Sequence, residues 1–262
     1  MYRLIKLDFK EKIARKSLFY LLIFPTSFYL GSVYTESLFL ALSIGSLYAS
    51  RKKHWLLAGV LGAFASATRL VGIFLLPALV IEYYQQRGKF NKKDLSNYLL
   101  LLVTSVGLLS YMLFLQKTVR DPLYFMHVQS LVGAERTGGR IILLYQVFWR
   151  YIKMIFTTRA DILYLNVWSE LIISILFLFL AILTFVKLRL SYFVYFILSY
   201  LTPTLTGTFS SLPRYVLVIF PGFIVLSLIG ERRKWFRVIY SSISILLLVI
   251  DILLFTRGFF VA

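Results

Sequence analysis

Three ionisable side chains stand almost alone in long apolar surroundings: Glu36, Arg69 and Arg214. A charge carried to the centre of a bilayer costs at least ~2.5–3.5 kcal/mol on insertion scales, so such residues are expected at hairpin tips or beside a compensating charge. Glu36 follows Tyr34 and Thr35, Arg69 follows Thr68, and Arg214 follows Ser210, Ser211, Leu212 and Pro213. If the three converge, the arginines can hold phosphate oxygens bidentately while the carboxylate contacts sugar hydroxyls or takes a proton. That chemistry suits a phosphorylated lipid carrier. A structural ion pair between Glu36 and Arg69, bracing two hairpins, accounts for the same residues without a ligand.

A second polar group comprises Arg120, Asp121, Pro122, His127, Gln129, Glu135 and Arg136, followed by Gly138, Gly139 and Arg140. The mixture suits a folded polar site in which Arg120 and Gln129 contact a substrate and Asp121 is a second acidic candidate. Asp121 before Pro122 is also a common turn starter. His127 has no second histidine at ligand spacing and the chain has no cysteine, so no zinc or thiolate metal site is expected. Asp251, inside the last apolar stretch, is expected to face either a partner on a neighbouring helix, the favoured reading, or the cavity. No phosphate-binding glycine loop, dinucleotide fingerprint or nucleophile elbow appears. No cofactor follows from these residues, and a divalent cation is left open.

The elements that must position these groups read as membrane helices. Of 262 residues, 60% are hydrophobic and 15% charged, whereas soluble domains are about half apolar and about a quarter charged. Leu99 to Leu115, Leu171 to Val186 and Val238 to Ile250 approach or reach the ~20 residues that cross a hydrocarbon core about 30 Å thick. A net charge of +18 would suggest nucleic acid in a soluble protein, but the Lys and Arg cluster between apolar runs. Membrane topology explains that pattern, and no nucleic-acid partner is expected.

Ser17 to Ser50 is too long for one crossing, since a single helix there would measure ~51 Å. One crossing would also set the basic N-terminus and Arg51, Lys52 and Lys53 on opposite sides. A hairpin turning near Tyr34, Thr35 and Glu36 resolves both problems. Trp55 to Gln86, with Arg69 near its middle, repeats the pattern. The rule predicts an all-α polytopic membrane protein with about nine transmembrane helices, near 17 to 33, 37 to 50, 55 to 68, 70 to 85, 97 to 115, 167 to 186, 191 to 209, 215 to 230 and 238 to 256. It forms one multi-pass domain over 1–262 in the cell membrane, with a basic interfacial segment at 1–16, a cytoplasmic N-terminus and an outer C-terminus. An extracytoplasmic loop spans 116–165, and its second half, Ile141 to Phe156, suits an interfacial helix. Nineteen of the 29 Lys and Arg then lie on the cytoplasmic side, while Glu36, Arg69 and Arg214 reach the outer face.

The run from Phe24 through Pro25, Tyr34-Thr35-Glu36-Ser37 to Phe39, followed by Ala67-Thr68-Arg69, resembles the PIG-V-type mannosyltransferases (GPI mannosyltransferase II-like), in particular their prokaryotic branch. Asp121-Pro122-Leu123-Tyr124-Phe125 with Gln129, and Leu212-Pro213-Arg214-Tyr215 with Phe220-Pro221, are similar to later segments of that family. The resemblance implies a GT-C glycosyltransferase that moves a sugar, often mannose, from a polyprenyl-phosphate donor to a lipid or glycan acceptor on the non-cytoplasmic side. A carboxylate would deprotonate or orient the acceptor hydroxyl while cations stabilise the departing phosphate. Family members begin with a further helix and an outer loop bearing the acidic residue expected to act as base. This chain starts after that region, which implies a fragment, a mispredicted start or an inactive paralogue of such an enzyme. Glu36 and Asp121 then remain as the catalytic candidates, and Tyr34, Thr35, Arg69, Arg120, Gln129 and Arg214 as the substrate contacts. A non-catalytic membrane scaffold and a lipid-carrier transporter are the alternative readings.

Overall fold

The computed structural model describes residues 1–88, 95–131, 136, 137, 140–158 and 162–261. Glu135, Gly138 and Gly139 lie outside the described residues. Among the described residues every regular element is helical.

The N-terminal segment forms α1 (Tyr2–Ile5) and α2 (Glu11–Leu22), which bury Leu4, Ile5, Ile13 and Ala14 and leave Arg3, Lys6 and Lys10 exposed. The crossing expected at 17 to 33 is helical only to Leu22 and then becomes a 3-10 turn over Ser27–Leu30. Pro25 explains the break, because proline lacks an amide hydrogen and disfavours helical backbone in the residue before it. Next come α3 (Glu36–Arg51) and α4 (Trp55–Thr68), which pack as a hairpin with Lys53 in the left-handed region at its turn. A 3-10 turn over Leu70–Phe74 leads into α5 (Leu75–Arg87). Helices α6 (Leu95–Leu102) and α7 (Val106–Val119) join through another 3-10 turn into one apolar run of 25 residues.

The middle of the chain holds α8 (Tyr124–His127) and α9 (Leu144–Thr157), the latter within the segment expected to lie on a membrane surface. Two long helices follow, α10 (Ile162–Lys187) and α11 (Leu190–Thr204). The helix expected over 191 to 209 stops at Thr204, next to Pro203, and Gly207 takes φ 96°. The segment expected at 215 to 230 is not one helix either. Short α12 (Leu212–Tyr215) with its 3-10 extension meets α13 (Phe220–Arg232) at a bend of 85°, where Pro221 occupies the first turn of α13. The chain ends with α14 (Lys234–Thr256).

Among the described residues three runs are long and apolar enough to cross a membrane: Leu95–Val119, Tyr164–Lys187 and Lys234–Thr256. The bent pair adds a fourth if it is one span. Helices α3, α4, α5 and α11 have 16, 14, 13 and 15 residues, below the roughly 17–25 of a straight crossing. At the centre lies α13, with Phe220 to Ser227 buried and α2, α10, α11 and α14 around it. By contrast, α14 is almost wholly exposed despite its apolar composition.

One end of this bundle is tied by buried ions. Arg51, the last residue of α3, donates Nη2 to Asp8 Oδ1 at 2.7 Å, donates Nη1 to the Tyr192 hydroxyl at 3.1 Å, and sets Nε 3.3 Å from Glu82 Oε1. Glu82 is fully buried and also accepts from Ser191 Oγ at 2.6 Å, Arg189 Nε at 3.0 Å and Gln86 Nε2 at 2.8 Å. Lys12 and Lys16 both pair with Glu231 at the end of α13. These bonds join the N-terminal segment, the ends of α3, α5 and α13, and the start of α11, where the sequence places its basic clusters.

Helix α4 crosses α6 and α7 through small residues. A Cβ added at Gly107 would stand 1.9 Å from the Ala63 carbonyl oxygen and 2.5 Å from Ser66 Oγ, so α4 and α7 touch backbone to backbone. Small residues permit such close approach. Gly107→Ala should therefore cost about 1–3 kcal/mol, as overpacking usually does. Gly45→Ala, whose nearest neighbour is the flexible Leu61 Cδ1 at 3.2 Å, should cost clearly less. Unfolding in detergent micelles measures both, and equal losses would contradict the backbone contact.

Candidate functional site

Glu36 opens α3, where free backbone amides favour a negative side chain, and it is fully buried. Its Oε1 accepts from Arg69 Nη1 at 2.7 Å and from Arg214 Nε at 2.5 Å. Oε2 is buried and has no hydrogen-bond partner among the described residues. Arg69 reaches this carboxylate because the backbone is extended there (φ −148°, ψ 141°), between the end of α4 and the following turn. Arg214 reaches it from α12.

Aromatic rings complete the seat of each cation. The Arg214 guanidinium lies 4.1 Å from the Tyr34 ring centroid and 4.7 Å from that of Tyr29. Arg69 and Arg136 each lie 5.4 Å from the ring of Tyr215. Such contacts favour a desolvated cation and fix its orientation. Each guanidinium carries five donors, and Glu36 engages only one on Arg69 and one on Arg214.

Beside the cluster is a cavity of about 370 Å³, lined among others by Thr35, Arg69, Gln129, Arg136, Arg214 and Tyr215. Its volume is at the lower end of the ~300–1,000 Å³ usual for small-ligand sites. One carboxylate against three arginines leaves this pocket cationic.

The wall that carries Arg136 is stitched to the loop after α11. Arg136 Nη2 donates to the Ser210 carbonyl at 2.8 Å, Thr137 N to the Thr206 carbonyl at 3.0 Å, and Ile142 N to the Leu205 carbonyl at 2.9 Å. Behind that loop a buried Glu170 accepts from the Tyr151 hydroxyl at 2.6 Å and from Ser211 N at 3.1 Å. The Tyr151 hydroxyl also accepts from Phe209 N at 3.1 Å. Burial first, and then the adjacent Glu170 carboxylate, push the Tyr151 phenol upward, so it stays a hydrogen-bond donor.

Of the residues proposed from sequence, Thr35, Arg69, Gln129 and Arg214 line the cavity, Glu36 links two of them, and Tyr34 packs on Arg214. Arg120 and Asp121 do not line it. Arg120 ends α7 in the left-handed conformation and is exposed. Asp121 Oδ2 faces His127 Nδ1 at 2.7 Å while Oδ1 accepts from Leu123 N at 2.9 Å, so its carboxylate serves its own turn. The His127 contact, helped by that amide, holds the Asp121 carboxyl below its ordinary range, opposite to what a general base near neutrality needs. Asp251 is half-buried and makes no hydrogen bond or ion pair among the described residues. The helix partner expected for it is not present there.

Sequence reasoning gave Arg136 no role of its own, had Tyr29 and Tyr215 only within the segments that carry the resemblance, and passed over Glu82 and Glu170. Glu170 is the single acid of α10, a signal of the same kind that marked Glu36. Glu82 lies in the stretch where Arg69 drew attention. No family profile, curated protein or solved structure matches the chain.

Chemically, the arrangement offers fixed guanidinium planes and an adjoining hydroxyl-bearing wall, a donor set suited to an anion. Removing the shared carboxylate leaves two cations facing each other. Glu36→Gln should destabilise the protein by about 3–5 kcal/mol, the usual effect of breaking a buried pair. Adding Arg69→Gln should restore part of that loss, with a coupling of about 0.5–3 kcal/mol. A double-mutant cycle in detergent measures this, and strict additivity would show that the contact carries no energy.

Proposed function

We propose that the protein is a polytopic membrane glycosyltransferase of GT-C type, whose arginine-lined cavity holds the phosphate of a polyprenyl-phosphate sugar. The single observation behind this reading is that Arg69, Arg136 and Arg214 line one cavity while one carboxylate oxygen answers two of them. The reaction class, and mannose as the sugar, rest on the resemblance of the Tyr34-Thr35-Glu36-Ser37 and Thr68-Arg69 segments. Membrane placement is supported by the apolar side chains left outside the fold, among them Phe64, Leu113, Phe179, Ile182, Leu246 and Leu253. Soluble monomers rarely expose apolar surface on this scale. On this reading the short helices cross as hairpins, nine crossings in all, with the N-terminus cytoplasmic and the cavity facing outward.

The arginines would stabilise charge on the departing lipid phosphate, where fixed donors in a dry site act most strongly. Glu36 acts as a positioning residue, since both guanidinium groups occupy its Oε1. Glu36 Oε2 is unpartnered among the described residues but buried, and Asp121 is bonded to His127 and Leu123 N, so neither presents an open carboxylate as a base. That observation favours the second reading, a membrane subunit or lipid-carrier transporter that binds the phosphate without turnover.

Membranes containing the chain are expected to transfer mannose from polyprenyl-phosphate mannose to endogenous acceptors, and Arg136→Ala should lower the rate about 10²–10³-fold. Binding of polyprenyl phosphate that weakens in Arg136→Ala, without turnover, would leave the second reading. An unsubstituted chain that neither transfers the sugar nor binds polyprenyl phosphate rejects the phosphate site. Sidedness has its own test, because the chain contains no cysteine. A single cysteine beside Arg69 should react with an impermeant thiol reagent in intact cells and one beside Lys52 should not; the reverse pattern overturns the orientation.

A further inference from the structure

A second concavity of about 660 Å³ lies between α1, α2 and α3, and the proposed function does not use it. Its floor is one stripe of α3, in which Ser37, Leu40, Ala41, Ile44, Gly45 and Tyr48 recur at helical spacing. Leu18 and Leu21 of α2 form one wall, and Tyr2, Arg3 and Leu4 of α1 close the end near Tyr48. From Ser37 to Tyr48 the stripe runs ~16 Å. That is about half of a ~30 Å hydrocarbon core, the depth of one leaflet.

The two ends of the groove differ in charge. Toward Leu30 and Ser37 its lining is uncharged. At the other end Arg3 lines it, Lys6 Nζ stands 5.4 Å from the Tyr2 ring centroid, and Lys52 Nζ stands 6.0 Å from that of Tyr48. Lys6 also faces Glu11 at 3.8 Å, whereas Arg3 and Lys52 are not ion-paired among the described residues. An apolar trough one leaflet deep, with cations at one end only, fits an amphiphile with a single negative head.

We propose that this groove binds an anionic phospholipid, with an acyl chain along the Leu40 and Ile44 stripe and its phosphodiester at Arg3 and Lys52. The site is separate from the Glu36 cavity, because Tyr48 and Lys52 stand at the opposite end of α3 from Glu36. It rests on the membrane placement proposed above but not on the transfer reaction. Arg51 takes no part, since Asp8 and Glu82 already engage it.

The full chain, reconstituted in nanodiscs, can be irradiated with phosphatidylglycerol or phosphatidylcholine carrying a diazirine on the acyl chain, and the adducts mapped by mass spectrometry. Phosphatidylglycerol is expected to label Leu40 and Ile44 about thirtyfold more than phosphatidylcholine, as attraction by two cations would give. Arg3→Gln with Lys52→Gln should abolish that preference. Ala41→Trp, at an exposed position on the groove floor, should suppress labelling by both lipids while the fold stays intact. Equal labelling by the two lipids, or a preference that survives the double substitution, would overturn the site. Extraction of the chain from membranes by alkaline carbonate would instead overturn the membrane placement and the lipid site with it. A carbonate-resistant chain without lipid preference refutes the lipid site alone.

Discussion

Helix α3 begins with a buried carboxylate and ends with a mostly buried guanidinium, and a charge taken out of water has to be met by its counter-charge. At one end Glu36 recruits Arg69 and Arg214; at the other Arg51 recruits Asp8 and Glu82, and Glu82 recruits Arg189. The two clusters stand ~22 Å apart along the helix, with no Asp, Glu, Lys or Arg between them on α3. Each cluster joins segments far apart in sequence: positions 36, 69 and 214 at one end, and 8, 51, 82 and 189 at the other. Apolar packing alone is tolerant of sliding and rotation. Ion clusters at both ends of one rod fix the register of its neighbours.

The Glu36 cluster bears on function through what it leaves unfinished. A carboxylate that neutralised its arginines fully would seal the site as a structural brace. Glu36 offers a single oxygen to two guanidinium groups, and Arg136 brings a third cation to the same cavity with no ion pair among the described residues, only the field of the buried Glu170 behind it. Rings of Tyr29, Tyr34 and Tyr215 hold the cations from the side, so their remaining donors stay oriented without being consumed. The structural ion pair and the anion site, opposed in the sequence reading, are two faces of one arrangement: the pair fixes the arginines, and the excess of positive charge makes them useful.

Much of this was legible in the sequence. Solitary charges in apolar stretches are expensive, and that cost alone marked Glu36, Arg69 and Arg214 as residues that need one another. The hairpins expected to turn at Glu36 and at Arg69 were less legible, since α3 packs chiefly on α4 across the turn at Arg51 to Lys53. Arg120 and Asp121 were misread because polarity in a loop has two sources. Asp121 satisfies its own turn, and only three-dimensional contact separates that use from catalysis. Glu82 and Glu170 were missed although each carried the signal that marked Glu36, an acid inside an apolar run. Helix ends were the least legible feature: Pro25, Pro203 and Pro221 each stop or turn a helix that hydropathy would continue.

Those interruptions are not scattered. The break at Thr68 and Arg69, the loop from Leu205 to Ser211 and the bend at Ile219 adjoin one another through residues of the cavity wall: Arg69, Leu70, Thr206 and Val218. Each break releases backbone donors and acceptors that a continuous helix would have paired. In hydrocarbon such groups are untenable unless protein or water receives them. Here Arg136 takes the Ser210 carbonyl, Arg150 takes that of Gly207, Thr137 takes that of Thr206, and Glu170 receives the Ser211 amide. Irregular backbone at membrane depth is tolerated where it lines a polar cavity, and half-helix ends there bind ions and anionic groups. The freed backbone groups are therefore met within the protein, by the same polar wall that brings Arg136 beside Arg69 and Arg214.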